Sequence, residues 1–189
     1  MADEVEIKFE VADLAALQAK LRALGFRLQT PSTHELNTLY DTPAGELRKS
    51  AQLLRLRQYG GRWTLTHKAR GPRGVHKTRA ETETAVENGE NMHAILLALG
   101  YQPSFRYEKF RAEWSDGQGH VVLDQTPIGN LAEIEGPPAW IDSTAERLGV
   151  TPKQYITKNY AELFLEWKQR TGSPAQSMAF AECGSPLPR

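Results

Sequence analysis

Alternation of apolar and polar side chains, the period of a half-buried strand, recurs in eight stretches of the chain: 3–10, 35–41, 51–59, 62–69, 76–86, 104–114, 119–124 and 130–136. Gly60-Gly61 between the third and fourth predicts a tight hairpin, and Asp116-Gly117 between the sixth and seventh predicts another. Connections this short imply antiparallel neighbours. Helical spacing appears elsewhere. Leu14, Leu17, Leu21 and Leu24 mark one face, with Asp13 as N-cap and Gly25 as the stop. Met92, Ile95, Leu96 and Leu99 mark a second, stopped by Gly100. Asp142 or Ser143 is predicted to cap a short helix ending near Gly149, and Pro152 suits the first position of the next. A last helix runs through Tyr160, Leu163, Phe164 and Trp167. The expected organisation is one domain over 1–170, followed by a tail, 171–189, rich in Gly, Ser, Pro and Ala and expected to be disordered or loosely docked.

A weak internal repeat runs at an offset of 75 residues. Leu21-Arg-Ala-Leu-Gly-Phe26 recurs as Leu96-Leu-Ala-Leu-Gly-Tyr101, and Glu4, Glu6 and Lys8 fall on Arg79, Glu81 and Glu83. Each half then reads charged strand, helix, glycine stop and further strands. Two similar halves closing one barrel is one reading; chance recurrence of a common helix ending is the other.

Strand side chains alternate between the faces of a sheet, and here one face is charged in nearly every strand. It carries Glu4, Glu6 and Lys8; Arg55 and Arg57; Thr64, Thr66 and Lys68; Arg79, Glu81 and Glu83; Lys109 and Arg111; Asp124; and Glu133 and Glu135. The opposite face is apolar: Val5, Ile7 and Phe9, Leu54 and Leu56, Trp63 and Leu65, Phe110, Leu123 and Ile134. Two arrangements satisfy this pattern. The apolar faces could form a sandwich core beneath a solvated charged surface. Alternatively the sheet closes with its charges inside and the amphipathic helices cover its apolar outside. Burying so many charges without water, partners or ligand would be costly, so a barrel lined this way is a wet site rather than a core.

Bulk numbers narrow the classes. At 189 residues, with 40% hydrophobic and 24% charged residues, the chain is ordinary for a soluble globular protein. Its 23 acids balance its 23 bases, so bulk attraction to nucleic acid or anionic membrane is not indicated. The single cysteine, Cys183, excludes an internal disulfide and, lying in the tail, makes a poor nucleophile. No apolar run approaches the roughly 20 residues that span a bilayer, and the acidic start lacks the apolar core of a signal peptide. A cytoplasmic location is expected. The five histidines lack zinc-ligand spacing, and no Walker-type glycine loop is present. Gly71-Pro-Arg-Gly74 reads as a loop that either closes over substrate or is plain surface.

Clustered carboxylates bind hard divalent cations through oxygen, whereas arginines and lysines in number hold phosphate oxygens. Glu4 with Glu6, and Glu133 with Glu135, each place two carboxylates on one strand face. Acids on one side and bases on another describe a metal-bound polyphosphate site.

At this point the residues resemble a known family. Glu4-Val-Glu-Ile-Lys8 is similar to the Glu-x-Glu-x-Lys opening of the CYTH domain, also called the triphosphate tunnel metalloenzymes. Tyr40-Asp-Thr42, Leu54-Arg-Leu-Arg57, Thr64-Leu-Thr-His-Lys68, Arg79-Ala-Glu-Thr-Glu83, Lys109-Phe-Arg111, Leu123-Asp124 and Glu133-Ile-Glu135 follow in the family's order, over about residues 3–165. The resemblance implies an α+β fold: an eight-stranded antiparallel tunnel with helices outside, binding a triphosphate with Mg²⁺ or Mn²⁺. It implies metal roles for Glu4, Glu6, Asp124, Glu133 and Glu135, and phosphate roles for Arg55, Arg57, Lys68, Arg79, Lys109 and Arg111. Lys8 would contact phosphate or orient the glutamates. Lys8, Lys68 and Arg57 are the residues expected to act in catalysis. Glu81 and Glu83 fit a structural ion pair as well as metal binding, and Tyr40 fits a place near the tunnel mouth as well as a structural turn.

The resemblance implies an enzyme but spans two reactions. Some members resemble class IV adenylyl cyclases, making cyclic AMP and pyrophosphate from ATP. Others hydrolyse inorganic triphosphate, thiamine triphosphate or RNA 5′ triphosphates. Ile128-Gly-Asn-Leu-Ala-Glu-Ile-Glu-Gly136 and the late Asn159-Tyr-Ala-Glu-Leu163 look like the bacterial cyclase branch, but that branch often has Ser before its Tyr where this chain has Asn159. Hydrolysis needs no base-recognition pocket and none is evident, which favours a triphosphatase, with a cyclase as the alternative. A non-catalytic polyphosphate-binding module and an interaction protein with a solvated charged sheet are the readings from other classes. A homodimer is an open expectation.

Overall fold

The computed structural model describes residues 2–72 and 74–187. Arg73, in the Gly71–Gly74 loop, and the last two residues of the tail lie outside the described residues. The chain order is β1 (Ala2–Glu10), α1 (Leu14–Ala23), β2 (Arg27–Asp41), α2 (Glu46–Lys49), β3 (Leu53–Tyr59), β4 (Arg62–Lys68), β5 (Lys77–Val86), α3 (Gly89–Ala98), β6 (Gln102–Ser115), β7 (His120–Thr126), β8 (Gly129–Glu135), α4 (Pro138–Leu148), α5 (Tyr160–Thr171) and α6 (Phe180–Cys183). The strands close into one antiparallel barrel in the order β1-β5-β4-β3-β2-β6-β7-β8. The eight expected strands are therefore present in one closed sheet, whose charged faces point inward.

The apolar outer face is what makes the helices necessary. Ile7, Trp114, Val121, Leu123 and Ile134 pack against Leu17 and Leu21 of α1 and Ile141, Ala145 and Leu148 of α4. Tyr40 and Leu56, with Leu54, Trp63 and Leu65, pack against Met92 and Leu96 of α3. Closure removes every exposed sheet edge, and alternation then sends the remaining side chains inside. One end of the interior is apolar: Leu39, Phe105, Tyr107 and Leu131 meet Tyr160 and Phe164 of α5.

Several boundaries differ from the sequence expectation. β2 begins at Arg27, eight residues before the predicted start of 35, because register shifts at Leu28/Thr30 and Thr30/Thr33 break its alternation around Pro31. β3 begins at Leu53 rather than 51, since Ala51 turns the chain with φ +57°. The helix expected from an Asp142 or Ser143 cap already begins at Pro138, with Pro137 preceding it. Pro152 opens a 3₁₀ turn behind Thr151 rather than an α-helix.

The tail is the largest difference. Ala175, Met178 and Phe180 are buried, and Met178 is fully so. Met178 donates its N–H to Arg106 O and accepts from Glu108 N, both at 3.0 Å. The Glu108 carboxylate accepts the Phe180 N–H at 2.7 Å. The segment is a strap on β6, held by three isolated apolar anchors that carry no periodic signal.

Candidate functional site

Register brings the inward residues of distant segments together. Glu6 lies opposite Glu135 and Lys8 opposite Glu133 across β1 and β8. Glu4 lies opposite Arg79 across β1 and β5. Arg57 lies opposite Asn37, and Glu35 opposite Lys109. The result is a cavity of about 460 Å³ inside the barrel, lined by eight cationic side chains and six carboxylates. Every expected phosphate-binding residue lines it, as do Glu4, Glu6, Glu133, Glu135, Glu81 and Glu83.

The charges form a chain of pairs around the wall. Lys8 bonds Glu133 at 2.6 Å, and Arg111 reaches the other oxygen of Glu133 at 2.5 Å. Arg111 also forks onto Asp124, Nε to Oδ1 at 2.7 Å and Nη2 to Oδ2 at 2.5 Å, while Lys109 meets Asp124 at 3.0 Å. Lys68 joins Glu4 and, at 3.0 Å, Glu81. Arg57 meets Glu83 at 3.2 Å. Glu81 and Glu83 thus stand in ion pairs. Arg79 donates to the carbonyls of Ala69, Ala51 and Lys68 at 2.7, 2.8 and 3.0 Å, so much of its guanidinium clamps the β4–β5 connection.

Two residues are placed differently from the simplest expectation. Asp124 is fully buried, with both oxygens occupied by Arg111, Lys109 and the Tyr160 hydroxyl, so it holds bases rather than presenting a free oxygen. Tyr40 faces away from the cavity, under α3, with its hydroxyl 2.6 Å from His93 Nδ1. The Tyr40-Asp-Thr42 motif ends β2 and anchors the turn beyond it: Asp41 accepts the N–H groups of Thr42, Leu47 and Arg48 at 2.8, 2.9 and 3.0 Å.

Protonation follows from these contacts. Burial alone would raise the Glu6 carboxyl, but Lys8, Lys77 and Lys68 outweigh it and hold it at about 2. Burial alone would lower Lys8, but Glu133 and Glu6 push it above the ordinary lysine value, so it is an ammonium at neutral pH. Lys68 is likewise raised: Glu4, Glu6 and Glu81 overcome its burial and the nearby Arg55. Glu135 goes the other way. Burial, then Glu4, Glu6 and Glu133, push its carboxyl up to about 7. Glu135 has no ion pair among the described residues, so the β1–β8 wall carries more carboxylate charge than its bases offset.

That surplus suits a divalent cation. Glu4 and Glu6 each place only one oxygen on a lysine, and Glu135 places neither. Among the described residues no three such groups already stand as a finished ion cage. A bound ion would draw Glu4 and Glu6 partly off Lys68 and Lys77.

The sequence reading missed Glu35, Asn37, Lys77 and Tyr160. Glu35 is fully buried, 3.5 Å from Lys109 and 2.8 Å from Asn37 Nδ2. Lys109 and Arg111, with Arg55 and Arg57, overcome its burial and hold it at about 2. Lys77 bonds Glu6 at 2.5 Å. The parity of Glu35-Leu-Asn37 and of Lys77-Thr-Arg79 already placed these residues on the charged face. Tyr160 carried helical periodicity and a likeness to the family's late Tyr, neither of which placed it in the cavity.

The CYTH domain family profile matches residues 2–171. The chain belongs to the CYTH family. A Methanocaldococcus jannaschii protein named as a candidate adenylate cyclase is 26% identical over 171 residues, covering 85% of this chain and 97% of that one. A Vibrio parahaemolyticus structure, also named as a candidate adenylate cyclase, superposes with a TM-score of 0.77 at 20% identity, covering 86% of this chain and 97% of that one. HpAC1 from Hippeastrum, for which a dominant triphosphatase activity is described, superposes with a TM-score of 0.60 at 16% identity, covering 100% and 98%. The strap beyond residue 171 lies outside the family match.

Proposed function

We propose that the barrel binds a triphosphate together with Mg²⁺ or Mn²⁺ and hydrolyses one of its phosphoanhydride bonds. The observation that carries this reading is the charged lining: eight cationic side chains and six carboxylates share one cavity, and of these Glu135 is unpaired among the described residues and pushed up to about 7. Glu4, Glu6 and Glu135 would hold the cation. Bound there, the cation would offset phosphate charge and polarise the phosphorus under attack. Lys8 and Lys68, both held as ammonium groups, bind phosphate oxygens and stabilise developing charge rather than taking protons. Arg55, Arg57, Lys109 and Arg111 supply forked and point donors that keep the chain of phosphates in line. Glu133 and Asp124 hold those bases in place. Water attacks a terminal phosphorus, the bridging P–O bond breaks, and pyrophosphate leaves as orthophosphate forms, with the water's proton passing to solvent or product phosphate.

A cyclase reading has one feature in its favour. Leu39, Leu53 and Tyr107 also line the cavity, an apolar corner that a nucleobase could cover. Product analysis separates the two. The purified protein is incubated with Mn²⁺ or Mg²⁺ and either inorganic triphosphate or ATP, and products are resolved by chromatography. Orthophosphate and pyrophosphate from triphosphate, without cyclic AMP from ATP, are expected. Cyclic AMP with pyrophosphate would replace hydrolysis by cyclisation. No product from either would leave a binding module.

A further inference from the structure

Tyr160 is the one large side chain that a helix contributes to the cavity lining among the described residues. It sits at the first position of α5, and that start is fixed. Asn159 Oδ1 accepts the Glu162 N–H at 3.0 Å, and Glu162 returns a carboxylate oxygen to the Asn159 N–H at 2.8 Å. The ring stacks on Tyr107 at 5.3 Å between centroids. One turn on, Phe164 packs on Phe105 at 5.5 Å. Met178 of the strap pairs with Tyr107 from behind.

From this seat the side chain touches four charged groups. Its hydroxyl has one proton, given to Asp124 Oδ2, with Glu133 Oε1 a second acceptor at 3.2 Å. Its ring face carries Lys109 Nζ at 4.5 Å and Lys8 Nζ at 5.0 Å. Asp124 and Glu133 are the carboxylates that hold Arg111, Lys109 and Lys8. A lysine ammonium on a flexible stem has many rotamers. Here two of them share one aromatic ring and two carboxylates bonded by one hydroxyl.

We infer that Tyr160 is a positioning residue for phosphate binding: its hydroxyl and ring fix the Asp124–Glu133 pair and, through it, the places of Lys8, Lys109 and Arg111. This rests on reading the tunnel as a triphosphate site. Tyr160 touches none of Glu4, Glu6 or Glu135, so its effect falls on the anion and not on the cation.

The test compares wild type, Y160F, Y160L and R57A, each checked for folding by thermal melting. Inorganic triphosphate binding is measured by calorimetry, and Mn²⁺ binding separately by electron paramagnetic resonance. Y160F keeps the ring and is expected to weaken triphosphate binding roughly tenfold, the scale of one hydrogen bond to a charged group, with Mn²⁺ affinity unchanged. Y160L, losing the ring as well, should weaken it further. Arg57 lies apart from Tyr160, so R57A reports on the tunnel reading alone. Weakened binding in R57A with wild-type binding in Y160F would overturn the role of Tyr160. Unchanged triphosphate binding in R57A would overturn the tunnel reading beneath it. A loss of Mn²⁺ affinity in Y160F with triphosphate binding intact would also overturn the inference, placing the tyrosine with the metal instead.

Discussion

The two halves of the barrel share a scaffold and differ in almost everything placed on it. β1, α1 and β2 recur at an offset of 75 residues as β5, α3 and β6. Exchanging β1–β4 with β5–β8 maps the strand order of the barrel onto itself. Yet two of the three matched charged positions on β1 and β5 differ in sign, Glu4 with Arg79 and Lys8 with Glu83, while Glu6 and Glu81 are both acids. Glu4 answers to Arg79, and each lies opposite the other in the β1–β5 ladder. β3 and β4 contribute Arg55, Arg57 and Lys68, whereas β7 and β8 contribute Asp124, Glu133 and Glu135. The outside diverges too. α1 is sandwiched between the barrel and α4, with Leu21 fully buried, whereas on α3 Ile95 is 51% exposed and at its C-cap Leu99 is 69% exposed. A twofold barrel carrying the same charges in both halves would face like against like across its axis. Where the halves differ they compensate one another, leaving β3 and β4 richer in bases and β7 and β8 richer in acids.

The difference between the helices predicts the largest effect. Leu21→Ala should cost about 2–5 kcal/mol of stability, because α1 and α4 cannot collapse into the space. At the C-cap of α3, Leu99→Ala should change stability by less than about 0.5 kcal/mol. Chemical denaturation of both variants measures the contrast, and equal effects would remove the distinction between the helices.

The acidic and basic walls should fail differently. Glu135→Gln should lower metal-dependent turnover by about 100-fold or more, the scale of a lost metal-ion contribution, while the fold stays intact. Steady-state rates across a Mn²⁺ titration would show this. Arg57→Ala should raise the triphosphate KM roughly tenfold through one lost charge-assisted contact, with a smaller fall in kcat. If both variants lose only kcat, the division of labour between the walls is wrong.

A smaller effect appears without substrate. The folded Glu135 carboxyl is raised to about 7 from an ordinary 4.5. Between those values the folded chain binds more protons at this group than the unfolded one, so the group makes stability fall as pH rises through that window. Glu6 and Glu35, held at about 2, act oppositely and below it: their stabilisation is lost as pH falls from about 4.5 toward 2. Melting of the chelated protein should therefore drop between pH 5 and 8, and Glu135→Gln should flatten that slope. The contribution is on the order of 1 kcal/mol after allowance for solvent screening of a half-buried group.

Much of this was legible in the chain, for one physical reason. A period of two assigns each strand residue to a face, and the face carrying Glu4, Glu6 and Lys8 through to Glu133 and Glu135 was charged throughout. The need of Leu17, Leu21 and Leu96 for an apolar partner then put the charges inside. What parity cannot give is register between strands far apart in sequence. Whether Asp124 presents an oxygen or spends it on Arg111 depends on how β6 meets β7. The bulged start of β2 hid residues 27–34 because a bulge erases the alternation that reveals a strand. The strap stayed invisible because Ala175, Met178 and Phe180 anchor irregular backbone, and Tyr160 because helical spacing reports burial without saying among what.

If Glu4, Glu6 and Glu135 hold a divalent cation that hydrolysis needs, phosphate release must depend on that ion. Phosphate release from inorganic triphosphate is followed as Mn²⁺ is titrated from chelator excess, for wild type and Glu135→Gln together. No release in chelator, saturable activation of the wild type and a collapse of that activation in the variant are expected. Release that persists in chelator, or a variant activated like the wild type, would contradict it.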